Sequence, residues 1–186
     1  MTITIDENLR LELTAEKHAG ALFDAVDNNR QHLAEFLPWV GNMQSVNDFR
    51  NYIENCEMLY QQGKEVSFVI ISGEVLVGRI GLHYINIQNK SAAIGYWLTK
   101  KAEGKGIMVT CCKALITYGF HKLSLHRIEI KAAVNNTRSQ AIPQKLNFVN
   151  EGILREAELV NDTFLDLVLY SMLEREWKEK ERGLMY

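Results

Sequence analysis

The sequence predicts an α+β fold built on a mixed, mostly antiparallel sheet. Three segments rich in β-branched residues, 66–71, 75–84 and 92–98, follow one another with only short turns between them, which is typical of an antiparallel meander. An apolar segment with helical spacing, residues 107–123, then leads into an alternating segment at residues 127–134. A strand that follows such a crossover helix is expected to lie parallel to the strand before it. If these two strands splay, a groove opens at the N-terminus of the helix.

The remaining segments complete a single domain that spans residues 1–186 and contains seven strands. Asn161 and Asp162 mark the hairpin between the last two strands. The charged residues 174–182, which follow the last strand, are predicted to be solvated surface. The other predicted strands are residues 9–13, 148–158 and 164–173, and the other predicted helices are residues 15–26, 31–36, 45–62 and 139–146.

The composition excludes several classes of function. The formal net charge of -2, with basic residues scattered along the chain, argues against direct nucleic-acid binding. No apolar run approaches the roughly 18 residues of a membrane span and no leader follows Met1, so we expect a cytoplasmic protein without membrane attachment. Cys56, Cys111 and Cys112 have no Cys-x-x-Cys spacing and the five histidines have no metal-ligand spacing. We therefore predict reduced, buried cysteines and no metal site.

A glycine-containing loop, residues 100–106, runs directly into the predicted helix at Ile107. The first N–H groups of a helix lack helical partners, and the small residues Gly104 and Gly106 allow a diphosphate to approach the main chain. Each charge-assisted hydrogen bond there contributes about 1.5–3 kcal/mol, against roughly 0.3–1 kcal/mol from the helix dipole. The spacing fits neither a Walker loop nor a Gly-x-Gly-x-x-Gly motif. By itself, the loop is equally compatible with a tight turn before a helix.

The segments around this loop indicate a particular ligand. They read IGYWL at residues 94–98, RIEIK at residues 127–131 and KLNF at residues 145–148, followed by Glu151 and Gly152. Together these motifs resemble the GNAT superfamily of acyl-CoA-dependent N-acetyltransferases, and within it the ribosomal-protein N-terminal acetyltransferases. The resemblance covers nearly the whole chain. It implies a GNAT-like sheet with helices on both faces and a splayed central strand pair, acetyl-CoA as co-substrate without a metal, and a homodimer or higher homo-oligomer.

The resemblance also assigns the contacts with acetyl-CoA residue by residue. The loop would hold the pyrophosphate, with lysine at position 101 where arginine or glutamine is commoner in the family. The main chain of the preceding strand would pair with the pantetheine arm, and one of two adjacent asparagines would hydrogen-bond the same arm. The implied acetyl-CoA-binding residues are Tyr96, Trp97, Leu98, Lys101, Gly104, Lys105, Gly106, Ile107, Asn135 and Asn136.

Two residues are implied to be catalytic. Ser139 matches the serine proposed in this branch to protonate the departing CoA thiolate, and Glu158 matches the proposed base. Ser139 can instead be only a helix N-cap, and Glu156 competes with Glu158 because regular alternation places both on one face of a strand. The tyrosine that is often the acid in the superfamily is absent from the short helix, which contains Pro143. That proline is harmless only if its missing N–H falls in the first turn.

The acceptor is expected to be a primary amine, and a protein N-terminus suits the chemistry best. Only a neutral amine attacks a thioester. At pH 7 an α-amine with a pKa near 8 is about one-tenth neutral, whereas a lysine with a pKa near 10.4 is neutral to a few parts in ten thousand. A ribosomal protein as acceptor is implied by the resemblance alone. A small cationic amine, such as a polyamine or an antibiotic, and a non-catalytic CoA-binding module remain alternatives. Trp39 is interpreted as a core residue in preference to a pocket wall.

Overall fold

The computed structural model describes residues 1–183 and is organised around an eight-stranded sheet. Its strands are β1 (Thr2–Thr4), β2 (Leu9–Leu13), β3 (Val66–Ser72), β4 (Val75–Asn86), β5 (Ser91–Leu98), β6 (Arg127–Ala133), β7 (Val149–Val160) and β8 (Thr163–Leu173). Its α-helices within the described residues are α1 (Ala19–Asp27), α2 (Arg30–Leu33), α3 (Val46–Gln61), α4 (Ile107–Lys122), α5 (Thr137–Lys145) and α6 (Glu174–Gly183). The strand order is β1-β2-β3-β4-β5-β6-β8-β7, which confirms the mixed α+β sheet with one strand more than predicted.

The two ends of the chain differ from the prediction. Strand β1 was not predicted, because three residues are too few to show an alternating pattern, yet it pairs with β2 in antiparallel register. The charged segment after β8 was predicted to be solvated surface, and this prediction is wrong for Trp177. That side chain is only 7% exposed within the core beside α4, and its Nε1 donates to Thr117 Oγ1 over 3.2 Å. Residues 174–183 therefore form a helix that closes one end of the core.

The helix boundaries follow from local capping. Ser45 caps α3 as predicted, because its Oγ accepts from the Asp48 N–H over 3.2 Å and Asp48 Oδ2 accepts from the Ser45 N–H over 2.8 Å. The segment predicted as a helix from residue 15 instead opens with a 3-10 turn, Glu16–His18, before α1 begins. Helix α2 is shorter than predicted and α5 starts two residues earlier. None of the helices in the described part of the chain is both long and apolar enough to cross a membrane.

The central strands splay as the sequence predicted. Neighbouring strands are antiparallel throughout the sheet except β5 and β6, which are parallel. Their pairing covers residues 91–94 and 127–130 and ends at Ile94 and Ile130. Beyond this point β5 continues to Leu98, paired only with β4 among the described strands, and β6 continues to Ala133. A gap therefore opens between the two strands beside the start of α4.

Helices cover both faces of the sheet. On one face α4 packs Leu115 and Ile116 into a core with Ile128 of β6. On the other face Phe49 of α3 packs in a second core with Val69 of β3. Burying both faces of the central strands fixes their register, because a slip of one residue would exchange the two cores.

The β7–β8 hairpin contains a local irregularity next to a predicted site residue. Its turn lies at Asn161 and Asp162, as predicted, with φ values of 47° and 59°. Leu154 pairs with Leu167 and Glu158 pairs with Leu165, so residues 155–157 bulge opposite Asp166. The regular alternation that was expected to place Glu156 and Glu158 on one face of β7 is therefore interrupted, and that expectation is wrong.

Candidate active site

A cavity of about 430 Å³ occupies the gap between β5, the start of α4, the start of α5 and the segment after α2. Its lining includes most of the residues singled out in the sequence, which are Tyr96, Trp97, Leu98, Gly104, Gly106, Ile107, Asn135, Asn136 and Ser139. Lys101, Lys105 and Glu158 lie outside this lining. The sequence thus located the cavity but did not separate the residues that line it from those nearby.

The loop before α4 requires glycine at two positions. Gly104 and Gly106 have φ values of 74° and 76°, in the left-handed region that side-chain-bearing residues rarely adopt. A Cβ atom at either position would meet no heavy atom within 4 Å. The requirement is therefore conformational, and the space in front of both glycines is open to a ligand.

This loop presents a row of free backbone donors. Within residues 1–183, the N–H groups of residues 104–109 form no hydrogen bond, and the first paired N–H is that of Thr110, which donates to the Gly106 carbonyl over 3.1 Å. The helix that follows is 16 residues long, so its positive end adds a favourable field at the same point. Such an arrangement is suited to a phosphate or diphosphate.

Glu103 joins this loop to both walls of the cavity, a role that the sequence did not reveal. Its Oε1 lies 2.8 Å from His32 Nε2 of α2, and its Oε2 accepts from Arg138 Nη1 of α5 over 2.9 Å. Because its two oxygens are engaged in this way, Glu103 holds the loop between α2 and α5. The three lysines of the loop, Lys100, Lys101 and Lys105, are exposed.

The capping of α5 excludes one of the two roles considered for Ser139, that of a helix N-cap. Asn136 is the N-cap, and its Oδ1 accepts from the Ser139 N–H over 3.0 Å. Ser139 therefore does not cap the helix, so its hydroxyl is not committed to that task. The neighbouring Asn135 is exposed on the cavity lining, and no hydrogen bond of its side chain exists within the described residues.

Tyr96 reaches across the gap to Ser139. Its hydroxyl donates to the Ser139 carbonyl over 3.0 Å and lies 3.2 Å from Ser139 Oγ. Burial raises the pKa of Tyr96, so its phenol remains protonated over the physiological range. The sequence assigned only the main chain of Tyr96 to the site, because nothing local in the sequence indicates this contact.

Pro143 lies in the interior of α5, not in the first turn where it was predicted to be harmless. A proline has no N–H to donate to the carbonyl four residues earlier, and for Pro143 that carbonyl belongs to Ser139. The Tyr96 hydroxyl donates to this carbonyl instead. The proline is thus accommodated by a side chain from β5.

Glu158 is half-buried on β7, and burial raises the pKa of its carboxyl. Glu156 is exposed and occupies the bulge with a φ of 49°. The hairpin tip is tied to the cavity wall, because Asn161 Nδ2 donates to the Ala34 carbonyl over 2.9 Å and residues 35–37 line the cavity. The two carboxylates that the sequence left as competitors therefore have different surroundings.

Trp39 packs against Trp97 with a ring-centroid distance of 6.2 Å and is partly buried against the core formed by α1 and α3. Trp39 lies outside the lining of this cavity, which favours the core interpretation over a pocket wall, whereas Trp97 lines the cavity. The side chain of Trp97 thus links the cavity wall to the core beneath it.

All three cysteines are free and buried, as predicted. Burial raises the pKa of Cys111 to about 12 and raises that of Cys112 well above its usual range, so neither is a ready nucleophile. The described residues contain no group of three or more His, Cys, Asp or Glu side chains that could hold a metal ion. Besides hydroxyls, amides and main-chain donors, the cavity lining includes the carboxyls of Glu35 and Glu103, the imidazole of His32 and the basic side chains of Arg138 and Lys145.

Comparison with known proteins identifies relatives along nearly the whole chain. Residues 8–149 match the family described as an acetyltransferase (GNAT) domain. The chain is 36% identical to YdaF of Bacillus subtilis (strain 168), described as a ribosomal N-acetyltransferase, over 95% of this chain and 97% of that protein. It is 34% identical to the ribosomal-protein-serine acetyltransferase of Escherichia coli (strain K12), over 92% of this chain and 96% of that protein.

A solved structure shows the same architecture. RimL, a ribosomal L7/L12 alpha-N-protein acetyltransferase in complex with coenzyme A, matches with a TM-score of 0.90 at 29% identity, over 93% of this chain and 98% of that chain. The splayed β5–β6 pair and the free N–H groups before α4 fit a bound coenzyme A, since one offers an unpaired strand edge and the other an anion site. The chain therefore belongs to the GNAT acetyltransferase family, whose members take their acetyl group from acetyl-CoA.

Proposed function

We propose that this acetyltransferase acetylates the N-terminal α-amine of a protein, and that the acceptor is a ribosomal protein. The observation that carries the proposal is a continuous surface suited to acetyl-CoA. In it, the unpaired edge of β5 leads to the free N–H groups of residues 104–109. The choice of acceptor is supported by the two relatives described as acting on ribosomal proteins. A ribosomal acceptor would also place the enzyme in the cytoplasm.

Acetyl-CoA would be held at three points along the gap. The N–H groups of Gly104, Gly106 and Ile107 would bind the pyrophosphate, with Lys101 and Lys105 adding positive charge nearby. The main chain of β5 at residues 96–98 would pair with the pantetheine amides as a neighbouring strand does. Asn135 would hydrogen-bond the same arm, because the Asn136 oxygen is already used by the cap of α5.

The transfer needs one base and one proton donor. Glu158 would accept a proton from the acceptor's ammonium group, so that the neutral amine attacks the thioester carbon, and its raised pKa brings the carboxyl closer to the pKa of an amine. The new nitrogen–carbon bond forms as the carbon–sulfur bond breaks. Ser139 would donate its proton to the departing sulfur and regain a proton from solvent, and solvent takes up the second proton that the nitrogen loses as the amide forms.

The energetics favour an α-amine over a lysine side chain. At pH 7 the cost of deprotonation is roughly 1.4 kcal/mol for an α-amine with a pKa near 8 and about 4.6 kcal/mol for a lysine with a pKa near 10.4. A single carboxylate without a metal compensates the smaller cost more readily. A protein N-terminus is therefore the acceptor that demands least of this site.

Release of free CoA in the presence of a matched set of acceptors tests the proposal. The set contains a peptide with a free N-terminus and an internal lysine, the same peptide with a blocked N-terminus, and spermidine. We expect turnover with the first peptide only. Turnover with spermidine alone would instead indicate a small-amine acetyltransferase. Binding of CoA without turnover on any acceptor would indicate a non-catalytic module.

A further inference from the structure

Three groups meet where β5 faces α5 across the cavity. The Tyr96 hydroxyl is within hydrogen-bond distance of both oxygens of Ser139, at 3.0 Å from the carbonyl and 3.2 Å from Oγ. Pro143 lies four residues after Ser139 in the same helix and cannot donate to that carbonyl. The Ser139 carbonyl is therefore available to Tyr96, whereas most helical carbonyls are used within their own helix.

The direction of these hydrogen bonds follows from the number of protons. A phenol has one proton, and the carbonyl is only an acceptor, so the contact of 3.0 Å is a donation from Tyr96. Burial raises the pKa of Tyr96, so that proton stays in place across the working pH range. Because the Tyr96 proton is committed to the carbonyl, the Tyr96 oxygen is an acceptor at 3.2 Å for the Ser139 hydroxyl, which is held in place until a stronger acceptor in the cavity takes its proton.

We propose that Tyr96 is a positioning residue for the Ser139 hydroxyl. Pro143, which has no N–H, leaves the Ser139 carbonyl free to accept the hydrogen bond that anchors Tyr96. This inference rests on the proposed function, in which Ser139 protonates the departing thiolate. Tyr96 holds Ser139 Oγ in one place without giving up its own proton. Its contribution belongs to the step that breaks the carbon–sulfur bond, and coenzyme A binding depends on its main chain, not on its hydroxyl.

Kinetics of four variants test the proposal with the full-length enzyme and its preferred amine. Tyr96→Phe removes only the hydroxyl, and Ser139→Ala removes the group that it positions. Pro143→Ala restores an N–H that can donate to the Ser139 carbonyl in competition with Tyr96. The matched control is Tyr118→Phe, because Tyr118 of α4 packs on Phe68 and its hydroxyl has no hydrogen bond within residues 1–183. The readouts are kcat, KM for acetyl-CoA, the Kd of CoA and Tm.

We expect Tyr96→Phe to lower kcat about tenfold, as loss of one positioning hydrogen bond does, with KM and the Kd of CoA unchanged. The double variant of Tyr96 and Ser139 should be no slower than Ser139→Ala, because both act on one event. Pro143→Ala should lower kcat about threefold while Tm is unchanged or higher. A loss of rate without a loss of stability is not explained by damage to the fold. Tyr118→Phe should behave as the wild type.

Several results would overturn the proposal. Wild-type kcat in Tyr96→Phe would do so, as would a double variant slowed by the product of the two single effects. If Tyr96→Phe does not fold, wild-type kcat in Pro143→Ala would contradict the proposal independently. If Ser139→Ala has a lowered kcat while Tyr96→Phe has the wild-type kcat, this inference is wrong and the proposed function stands. If Ser139→Ala has the wild-type kcat, Ser139 is not the proton donor and the inference fails with that role. If the enzyme transfers acetyl to no amine, the proposed function itself is wrong.

Discussion

Replacing Gly106 by alanine is expected to weaken CoA binding by more than the accompanying loss of stability explains. Gly106 is the N-cap of α4 and has a φ of 76°. Alanine in the left-handed region costs about 1–2 kcal/mol, and no neighbouring atom within 4 Å adds a steric cost. Gly73, in the turn between β3 and β4, has a φ of 61° and equally open surroundings. Gly73→Ala is therefore a control with the same conformational cost at a distance from the cavity.

The effect on binding comes from the N–H groups that the loop presents. If the strained alanine relaxes, the peptide units around residue 106 rotate and at least one N–H no longer points at the pyrophosphate. Losing one charge-assisted hydrogen bond of about 1.5–3 kcal/mol weakens the Kd of CoA about 10- to 150-fold. Both alanine variants should lose similar stability, and only Gly106→Ala should lose this affinity.

Isothermal titration calorimetry with CoA and with pantetheine measures this difference. Pantetheine has no pyrophosphate, so its weaker binding should be the same in Gly106→Ala and the wild type. The assignment of the loop to the pyrophosphate would be refuted if Gly106→Ala bound CoA within about twofold of the wild type. It would equally be refuted if pantetheine lost as much affinity as CoA, since the effect would then lie elsewhere in the groove.

Three further changes address the base, the C-terminal helix and a partly buried ion cluster. Glu158→Gln should lower kcat by about 100-fold or more and abolish the acid limb of the pH profile. In the wild type, kcat/KM falls as the pH drops through the raised pKa of Glu158, because the base becomes protonated. Trp177→Ala should cost about 3–5 kcal/mol of unfolding free energy in urea denaturation, because the side chain fills the core beside α4. Burial raises the pKa of Glu65, but hydrogen bonds from His83 and Ser67 and the charge of Arg79 outweigh it and lower the pKa to about 2. The depressed pKa stabilises the fold above the unfolded value near 4.3, so the wild type should lose Tm as the pH falls from about 4.3 to 2, and Glu65→Gln should lose less over that range.

Each of these predictions has a control and a contrary outcome. Glu156→Gln, on the exposed bulge, should keep wild-type kcat, and a larger loss there than in Glu158→Gln would exchange the two roles. Lys178→Ala changes an exposed side chain of α6 and should alter stability by less than about 0.5 kcal/mol. An equally small effect of Trp177→Ala would show that α6 contributes little to the core. If wild type and Glu65→Gln lost Tm in parallel below pH 4.3, other carboxylates would control acid stability.

Local patterns were sufficient for most of the fold. The three β-branched segments predict adjacent antiparallel strands, and the crossover helix predicts a parallel strand after it. The handedness rule then places β6 beside β5 without further information. Strand β1 could not be predicted from three residues whose pairing depends on β2. Helix α6 was missed because its charged composition outweighed a single tryptophan, although a tryptophan within a charged segment was a signal that one face is buried.

The site was predictable where chemistry is local and unpredictable where it depends on distant contacts. The glycines of the loop are required by the conformation of their own residues, so their role could be predicted from the sequence. The contact between Tyr96 and Ser139 joins residues 43 positions apart and exists only because the strands splay. The bulge that separates Glu156 from Glu158 depends on Asp166, whose Oδ1 accepts from the Glu156 N–H over 2.7 Å. Alternation along the strand could not reveal that contact.

The most direct measurement is mass spectrometry of intact ribosomal proteins and polyamines from cells with and without the enzyme. The proposed function predicts that at least one ribosomal protein carries an acetyl group on its N-terminal nitrogen only when the enzyme is present, and that the Glu158→Gln variant does not restore it. Polyamines should be unchanged. Identical N-termini in both samples, together with acetylated polyamines that appear only with the active enzyme, would contradict the account.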